Sequence, residues 1–242
     1  MRDFITCLEF LTRVRFSKRT DWRDEDFSRS VPYFPLVGLV IGSLLAAVNY
    51  SLFYIETPLF LRVTLLLLAE IIITGGLMYD GFMDTADGVF SARSRERMLE
   101  IMKDSHVGSN AVLAIIIWLL LKIAAYLELS GETLTWVLLT MSVATRTFMV
   151  VFIVNFPYAR KEGIGHMFTK YAKPFYTYNA FAVCAGIIAA CGLQYLAVAG
   201  ICFTVTLIIA QYLKTQLGGL TGDTYGALTE CGNVIYLLTA VF

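Results

Sequence analysis

Charge is what this sequence has least of. Of its 242 residues only 16% are Asp, Glu, Lys or Arg, against about 25% in a soluble domain. Histidine occurs twice, as His106 and His166, which excludes a histidine-rich metal site. The five cysteines, Cys7, Cys184, Cys191, Cys202 and Cys231, show no Cys-x-x-Cys pair and no Cys/His ligand spacing. They read as small apolar packing residues in a reducing or lipid setting. No solenoid repeat period is present. The N-terminus alternates charge and hydrophobe and lacks a clean apolar run with a cleavage site, so no secretory signal is expected. Positive and negative charges cancel; the total gives no reason to expect nucleic acid as a partner.

What fills the space is apolar. Hydrophobic residues make up 57% of the chain, and the mean hydropathy is +0.68. A membrane-spanning helix needs about 20 apolar residues. Runs of that kind are Val31–Tyr54, Leu59–Tyr79, Val107–Leu129, Glu132–Val154, Phe175–Cys191 and Leu193–Leu213, with a last run from near Thr224 to Phe242. The expected fold is all-α: a polytopic bundle of about seven transmembrane helices in a lipid bilayer. Placing the N-terminus in the cytoplasm puts 16 of the 19 Lys and Arg on the inner side, as the positive-inside bias requires. Residues 1–30 read as a separate N-terminal segment. Phe4, Ile5, Leu8, Leu11 and Val14 recur at helical spacing beside Arg13, Arg15, Lys18 and Arg19, which suits an amphipathic surface helix followed by a polar linker; an ordinary cytosolic extension fits as well. Residues 31–242 are then the catalytic membrane domain.

Between two of the runs lies a polar stretch, Thr74 to Gly108, carrying Asp80, Asp84, Asp87, Glu100 and Asp104 with Arg93, Arg95, Arg97 and Lys103. Asp80, Asp84 and Asp87 are spaced i, i+4, i+7, which on a helix stacks them on one face. Three like charges on one face repel unless a cation lies among them. Hard cations such as Mg2+ take a few carboxylates plus substrate phosphates. Gly75, Gly76, Gly81 and Gly88 leave room for a close approach. A solvated charged loop is the plain alternative; the aspartate face beside Gly-Gly argues against it.

Glu70, Lys122 and Arg146 fall within expected spans, where a charge is costly and faces the bundle interior. Arg146 suits an anion contact in a cavity open to the inner face; Glu70 suits an ion pair with either cation. Two more inner-face stretches fit a phosphate-bearing ligand. One is Tyr158 to Gly165, with Arg160 and Lys161. The other is Leu217 to Gly226, where Gly218 and Gly219 precede a helix start and Asp223 is in reach of a metal. Gly75-Gly76-Leu77 with Asp80 is echoed by Gly218-Gly219-Leu220 with Asp223, an echo short enough for coincidence. Together the residues describe a Mg2+-dependent phosphoryl-transfer enzyme in the membrane.

Thr74-Gly75-Gly76-Leu77, Asp80-Gly81, Asp84-Thr85-Ala86-Asp87-Gly88, Ser91-Ala92-Arg93 and Met102-Lys103-Asp104-Ser105 resemble the signature of the cobalamin synthase family, the adenosylcobinamide-GDP ribazoletransferases. Phe10-Leu11-Thr12-Arg13, Tyr158 to Gly165 and Leu217 to Glu230 resemble its other blocks, so the likeness runs along essentially the whole chain. It implies a Mg2+-dependent transferase of the bacterial inner membrane, its site facing the cytoplasm. Adenosylcobinamide-GDP and α-ribazole, or its 5′-phosphate, would be joined and GMP released. By position it makes Asp80, Asp84, Asp87 and Asp104 metal candidates, with Asp84, Asp87 and Asp104 catalytic and Asp104 a candidate base. Arg93, Lys103, Arg146 and Arg160 would hold phosphates; Asp223 and Glu230 would complete the acidic shell. The resemblance leaves a homo-oligomer open. This chain departs from the family in having Met78 where a His is usual, His106 where an Arg is usual, and Asn233 where a Glu is frequent. The Asp84-x2-Asp87-Gly88 core also resembles CDP-alcohol phosphotransferases, but Ala92-Arg93 comes one residue late and a later Asp pair is missing. A phospholipid synthase of that kind and a membrane transporter are the alternatives.

Overall fold

The computed structural model describes residues 2–16, 23–129 and 131–242. Twelve helices carry the described chain, and no strand occurs among those residues. They are α1 (Arg2–Leu11), α2 (Asp24–Ser30), α3 (Phe34–Tyr54), α4 (Leu59–Thr74), α5 (Leu77–Phe90) and α6 (Arg95–Ile101). After them come α7 (Ser109–Glu128), α8 (Gly131–Asn155), α9 (Ile164–Thr169), α10 (Phe175–Cys191), α11 (Gln194–Leu217) and α12 (Gly222–Val241). A 3-10 turn, Val31–Tyr33, joins α2 to α3. Pro32 and Pro35 sit in this turn and at the start of α3, where a missing N–H costs nothing.

Helix α8 is the axis of the bundle. From Met141 to Ile153 every side chain is buried, because α3, α10, α11 and α12 all pack on it. Gly38 and Gly42 of α3 face α8. A Cβ at Gly42 would lie 2.7 Å from Leu139 Cα, so the two backbones touch through the small-x3-small spacing that membrane helices use. The outer helices show the opposite pattern. On α7, Leu113, Ile116, Ile117 and Leu120 are exposed, as are Ile72 on α4 and Ile208 on α11. An apolar belt of that extent has no place in water and suits lipid contact.

By length and apolarity four stretches can cross a membrane: Asp24–Tyr54, α7, α8 and α11. A fifth is the pair α4 and α5, if that pair is one broken span. Of the other runs expected to span, α10 has 17 residues and is short. Helix α12 is long enough at 20 residues but is less apolar and almost wholly enclosed by its neighbours.

The helix α1 ends at Leu11, and its Cys7, Leu8 and Leu11 join the bundle's core. Its apolar side therefore faces protein, with Phe10 against Phe168 of α9 at 4.8 Å between ring centroids. Lys18 and Arg19, expected beside this helix, lie outside the described residues.

Two glycine pairs shape the region that matters most. Gly75 and Gly76, at φ 70° and 72°, end α4 and turn the chain by 93° into α5. Gly218 at φ 71° ends α11, and Gly219 follows at φ 158° before α12 begins. Left-handed backbone of this kind is open to glycine at little cost. The echo noted in the sequence is thus a repeated structural device: a helix, a glycine break, then a helix bearing an aspartate in its first turn. The two helices that follow the breaks, α5 and α12, pack against each other.

Candidate active site

Helix α5 carries Asp80, Asp84 and Asp87 on one face, as their spacing requires. Asp80 is exposed; Asp84 and Asp87 are half-buried. Because α5 turns away from α4 at the glycine elbow, this face lies across the direction of the span. Glycines bring α12 up to it. A Cβ at Gly81 would come within 2.7 Å of the Asp223 carbonyl oxygen, and one at Gly226 within 3.1 Å of the Met78 carbonyl. No larger residue at 81 permits this approach, and the approach sets Asp223 beside Asp84.

Asp223 stands in the first turn of α12, whose start is fixed by a reciprocal cap. The Thr221 hydroxyl accepts from the Thr224 N–H, while the Thr221 N–H donates to the Thr224 hydroxyl at 2.7 Å. The incoming chain is stitched to the loop after α8. The Leu220 N–H donates to the Pro157 carbonyl at 2.8 Å, and the Ala159 N–H to the Leu220 carbonyl at 2.7 Å. This short parallel bridge delivers Arg160, which pairs with Asp223 at 2.8 Å. Among the described residues, the buried Arg160 Nε and Nη2 have no hydrogen-bond partner, so both nitrogens are left to donate to a ligand.

Electrostatics mark Asp84. Burial, then the neighbouring Asp80 and Asp223 charges, push its carboxyl up to about 7, with Arg160 opposing and Asp87 adding. A carboxyl held that high beside two other carboxylates is under-neutralised. The donors are all oxygen, which suits a hard cation. Among the described residues, no three Asp, Glu, His or Cys side chains close a cation site by themselves.

Two cavities meet at this wall. The smaller, ≈ 260 Å³, is lined by Asp80, Tyr158, Arg160, Gly165 and Asp223, with Met78 at its apolar end. The larger, ≈ 810 Å³, lies on the other side of Asp80, between the N-terminal segment and the glycine elbow. Asp80, Leu77 and Phe10 line both.

Other expected site residues are elsewhere or otherwise engaged. Asp87 accepts from the Gly108 N–H at 2.6 Å and the Ala111 N–H at 2.9 Å, so it also caps α7. Asp104 is exposed and bonded to His106 at 2.6 Å. The pair holds the Asp104 carboxyl below its usual range and the His106 imidazole above its own. Arg93 and Lys103 are exposed. Gly218 lies under the Arg95 guanidinium and Gly219 against the Pro157 carbonyl. The next two N–H groups, of Leu220 and Thr221, are already used within the protein.

Glu230 and Arg146 belong to a second, enclosed cluster inside the bundle. Lys122 donates to Glu70 at 2.8 Å, to the Tyr79 hydroxyl at 2.8 Å and to Glu230 at 3.2 Å. Asn233 donates to Glu230 at 3.1 Å and accepts from Thr145 at 3.0 Å. Arg146 Nη1 reaches the Thr145 hydroxyl at 3.1 Å. Glu70 thus pairs with Lys122, one of the two cations open to it. Tyr158 and Gly226 stand at the ends of two stretches the sequence singles out, but nothing local marks the contacts they make.

The fold is that of a polytopic helical membrane protein, and comparison with known proteins places it among transferases. The profile of the cobalamin-5-phosphate synthase family matches residues 3–241, and the chain belongs to that family, whose work lies in cobalamin biosynthesis. Its relatives include the adenosylcobinamide-GDP ribazoletransferase of Clostridium novyi (strain NT), 36% identical over 98% of this chain and 96% of the relative. The enzyme of the same name from Desulforamulus reducens is 41% identical over 92% and 89%. The one from Escherichia coli O17:K52:H18 is 37% identical over 97% of both. No solved structure matches the chain.

Proposed function

We propose that this protein joins adenosylcobinamide-GDP to α-ribazole or α-ribazole 5′-phosphate and releases GMP, using Mg2+, at the cytoplasmic face of the bacterial inner membrane. Family membership and the names of the relatives support the chemistry. The observation that carries it to these residues is the under-neutralised wall of Asp80, Asp84 and Asp223 beside the orphaned donors of Arg160.

In this reading Asp80, Asp84 and Asp223 hold the cation, with Asp87 behind them. Mg2+ held there would supply positive charge against the charge that builds on the diphosphate. Arg160 donates to a phosphate oxygen through its free N–H groups. The ribose hydroxyl oxygen of the acceptor forms a bond to the phosphorus nearer the cobinamide. The bond from that phosphorus to the bridging oxygen breaks, and GMP leaves with that oxygen. The hydroxyl proton passes to a carboxylate of the cluster.

The test is GMP release from adenosylcobinamide-GDP by membranes containing the protein, with and without Mg2+. Turnover is expected only with the ion. Equal turnover after thorough chelation, or release of CMP from a CDP-linked lipid instead, would overturn the proposal.

A further inference from the structure

The larger cavity is unused by the chemistry above, and one cation stands over it. The backbone N–H of Arg13 donates to the Ile73 carbonyl at 2.8 Å, which ties the N-terminal segment to the end of α4. The neighbouring residues are equally fixed. The Thr12 hydroxyl donates to the Leu8 carbonyl at 2.6 Å and the Thr74 hydroxyl to the Glu70 carbonyl at 2.8 Å. The Arg13 side chain then lies directly over Gly75, where any Cβ would collide with its guanidinium. Gly75 is required for its left-handed φ, and it leaves the space in which the arginine lies. The anchored guanidinium is exposed. Among the described residues it makes no hydrogen bond and no ion pair. The other charges of the cavity, Asp80 apart, are engaged: Arg15 donates to the Glu9 carbonyl, and a Glu9 carboxylate oxygen accepts from the Phe16 N–H at 2.7 Å.

We infer that the larger cavity is the acceptor site and that Arg13 recognises the 5′-phosphate of a phosphorylated nucleoside acceptor. The inference rests on the function proposed above. A transfer between two substrates needs two sites that meet at the reacting phosphorus. Here two cavities share the Asp80 wall, and Arg160 with its free donors lines only the smaller. The larger has the size of a small-molecule pocket, enough for a nucleotide. The Asp80 N–H bonds to the Gly76 carbonyl at 2.9 Å, so one helical turn, about 5.4 Å, separates the elbow under Arg13 from the acidic wall. A ribose bridges such a gap, with its phosphate on Arg13 and a ring hydroxyl turned toward the wall. A bidentate arginine–phosphate contact supplies both affinity and orientation.

The experiment compares kcat/KM for α-ribazole 5′-phosphate and for α-ribazole in the wild type, R13Q and R13K, at saturating adenosylcobinamide-GDP. The wild type is expected to prefer the phosphorylated acceptor. R13Q is expected to lose about tenfold or more of that preference, through KM for the phosphorylated acceptor, and R13K to recover part of it. Turnover of the unphosphorylated nucleoside by R13Q reports that the variant is folded and inserted. The inference is overturned if R13Q lowers both acceptors alike, if it raises only the KM for the GDP-bearing substrate, or if the preference is unchanged. Failure of the functional reading looks different: the wild type itself then releases no GMP with either acceptor.

Discussion

The molecule holds two clusters of opposed charge, and they are built on different terms. The enclosed one sets Lys122 among Glu70, Glu230 and the Tyr79 hydroxyl, with Asn233 taking the other Glu230 oxygen. Its Lys122 is fully buried, and Glu70 and Glu230 are nearly so. The open one sets Arg160 among Asp223, Asp84 and Asp80 and leaves donors and carboxylates to spare. Both use acids and a base on α5, α12 and their neighbours. The first is satisfied internally, as apolar surroundings demand; the second is satisfied only when something else arrives. The difference separates charges satisfied within the bundle from charges left open at the proposed site.

The comparison is broken most severely by removing one acid from the open cluster. D84N is expected to lower GMP release by about a hundredfold or more while its thermal midpoint in detergent stays near that of the wild type. Full activity in D84N would remove the distinction. The enclosed cluster should respond in the opposite sense. K122M leaves two buried carboxylates with only Arg146 nearby, and is expected to cost about 3–5 kcal/mol, read as a lowered unfolding midpoint. E70Q/K122M/E230Q should regain much of that loss, since no uncompensated charge remains.

Smaller effects sharpen the contrast at the contact between α5 and α12. G81A places a methyl 2.7 Å from the Asp223 carbonyl oxygen. It is expected to cost about 1–3 kcal/mol and to lower activity by displacing Asp223. G226A meets its nearest atom at 3.1 Å and should do less of both. The smallest effect belongs to the exposed Asp104–His106 pair, which solvent screens. With Asp104 lowered and His106 raised, the carboxylate's share is lost as pH falls through its lowered value. The imidazole's share is complete below its unfolded pKa and is lost as pH rises through its raised value. Any midpoint difference between H106A and wild type should therefore shrink as pH rises through the raised imidazole pKa and as pH falls through the lowered carboxylate pKa.

What the sequence made legible was local. The aspartate face of α5 follows from spacing alone, because a helix turns that spacing into a stripe. The two glycine breaks were visible as a repeated Gly-Gly-Leu, although only the folded chain gives the repeat a meaning. Glu70 and Lys122 were open to pairing because an intramembrane charge needs a partner. Glu230 had no such local mark, and its neighbour proved to be Lys122, contributed by another helix. Arg13 was equally opaque as a cavity residue: its place depends on one main-chain hydrogen bond to Ile73, sixty positions along the chain, and no periodicity encodes such a contact. The span count blurs for a related reason. Helix α12 is enclosed by protein, so burial in its neighbours does the work that apolarity does for α7.

The bridge between Tyr158 and Leu220 has a bearing on biogenesis. Arg160 leaves the ribosome long before Asp223, and α10 and α11 must be made and packed in between. Until they are, the arginine has no aspartate to grip and the loop carrying it has nothing to be sewn to. The Arg160–Asp223 pair is therefore among the last contacts the nascent chain can make, and a product cut short of α12 lacks it.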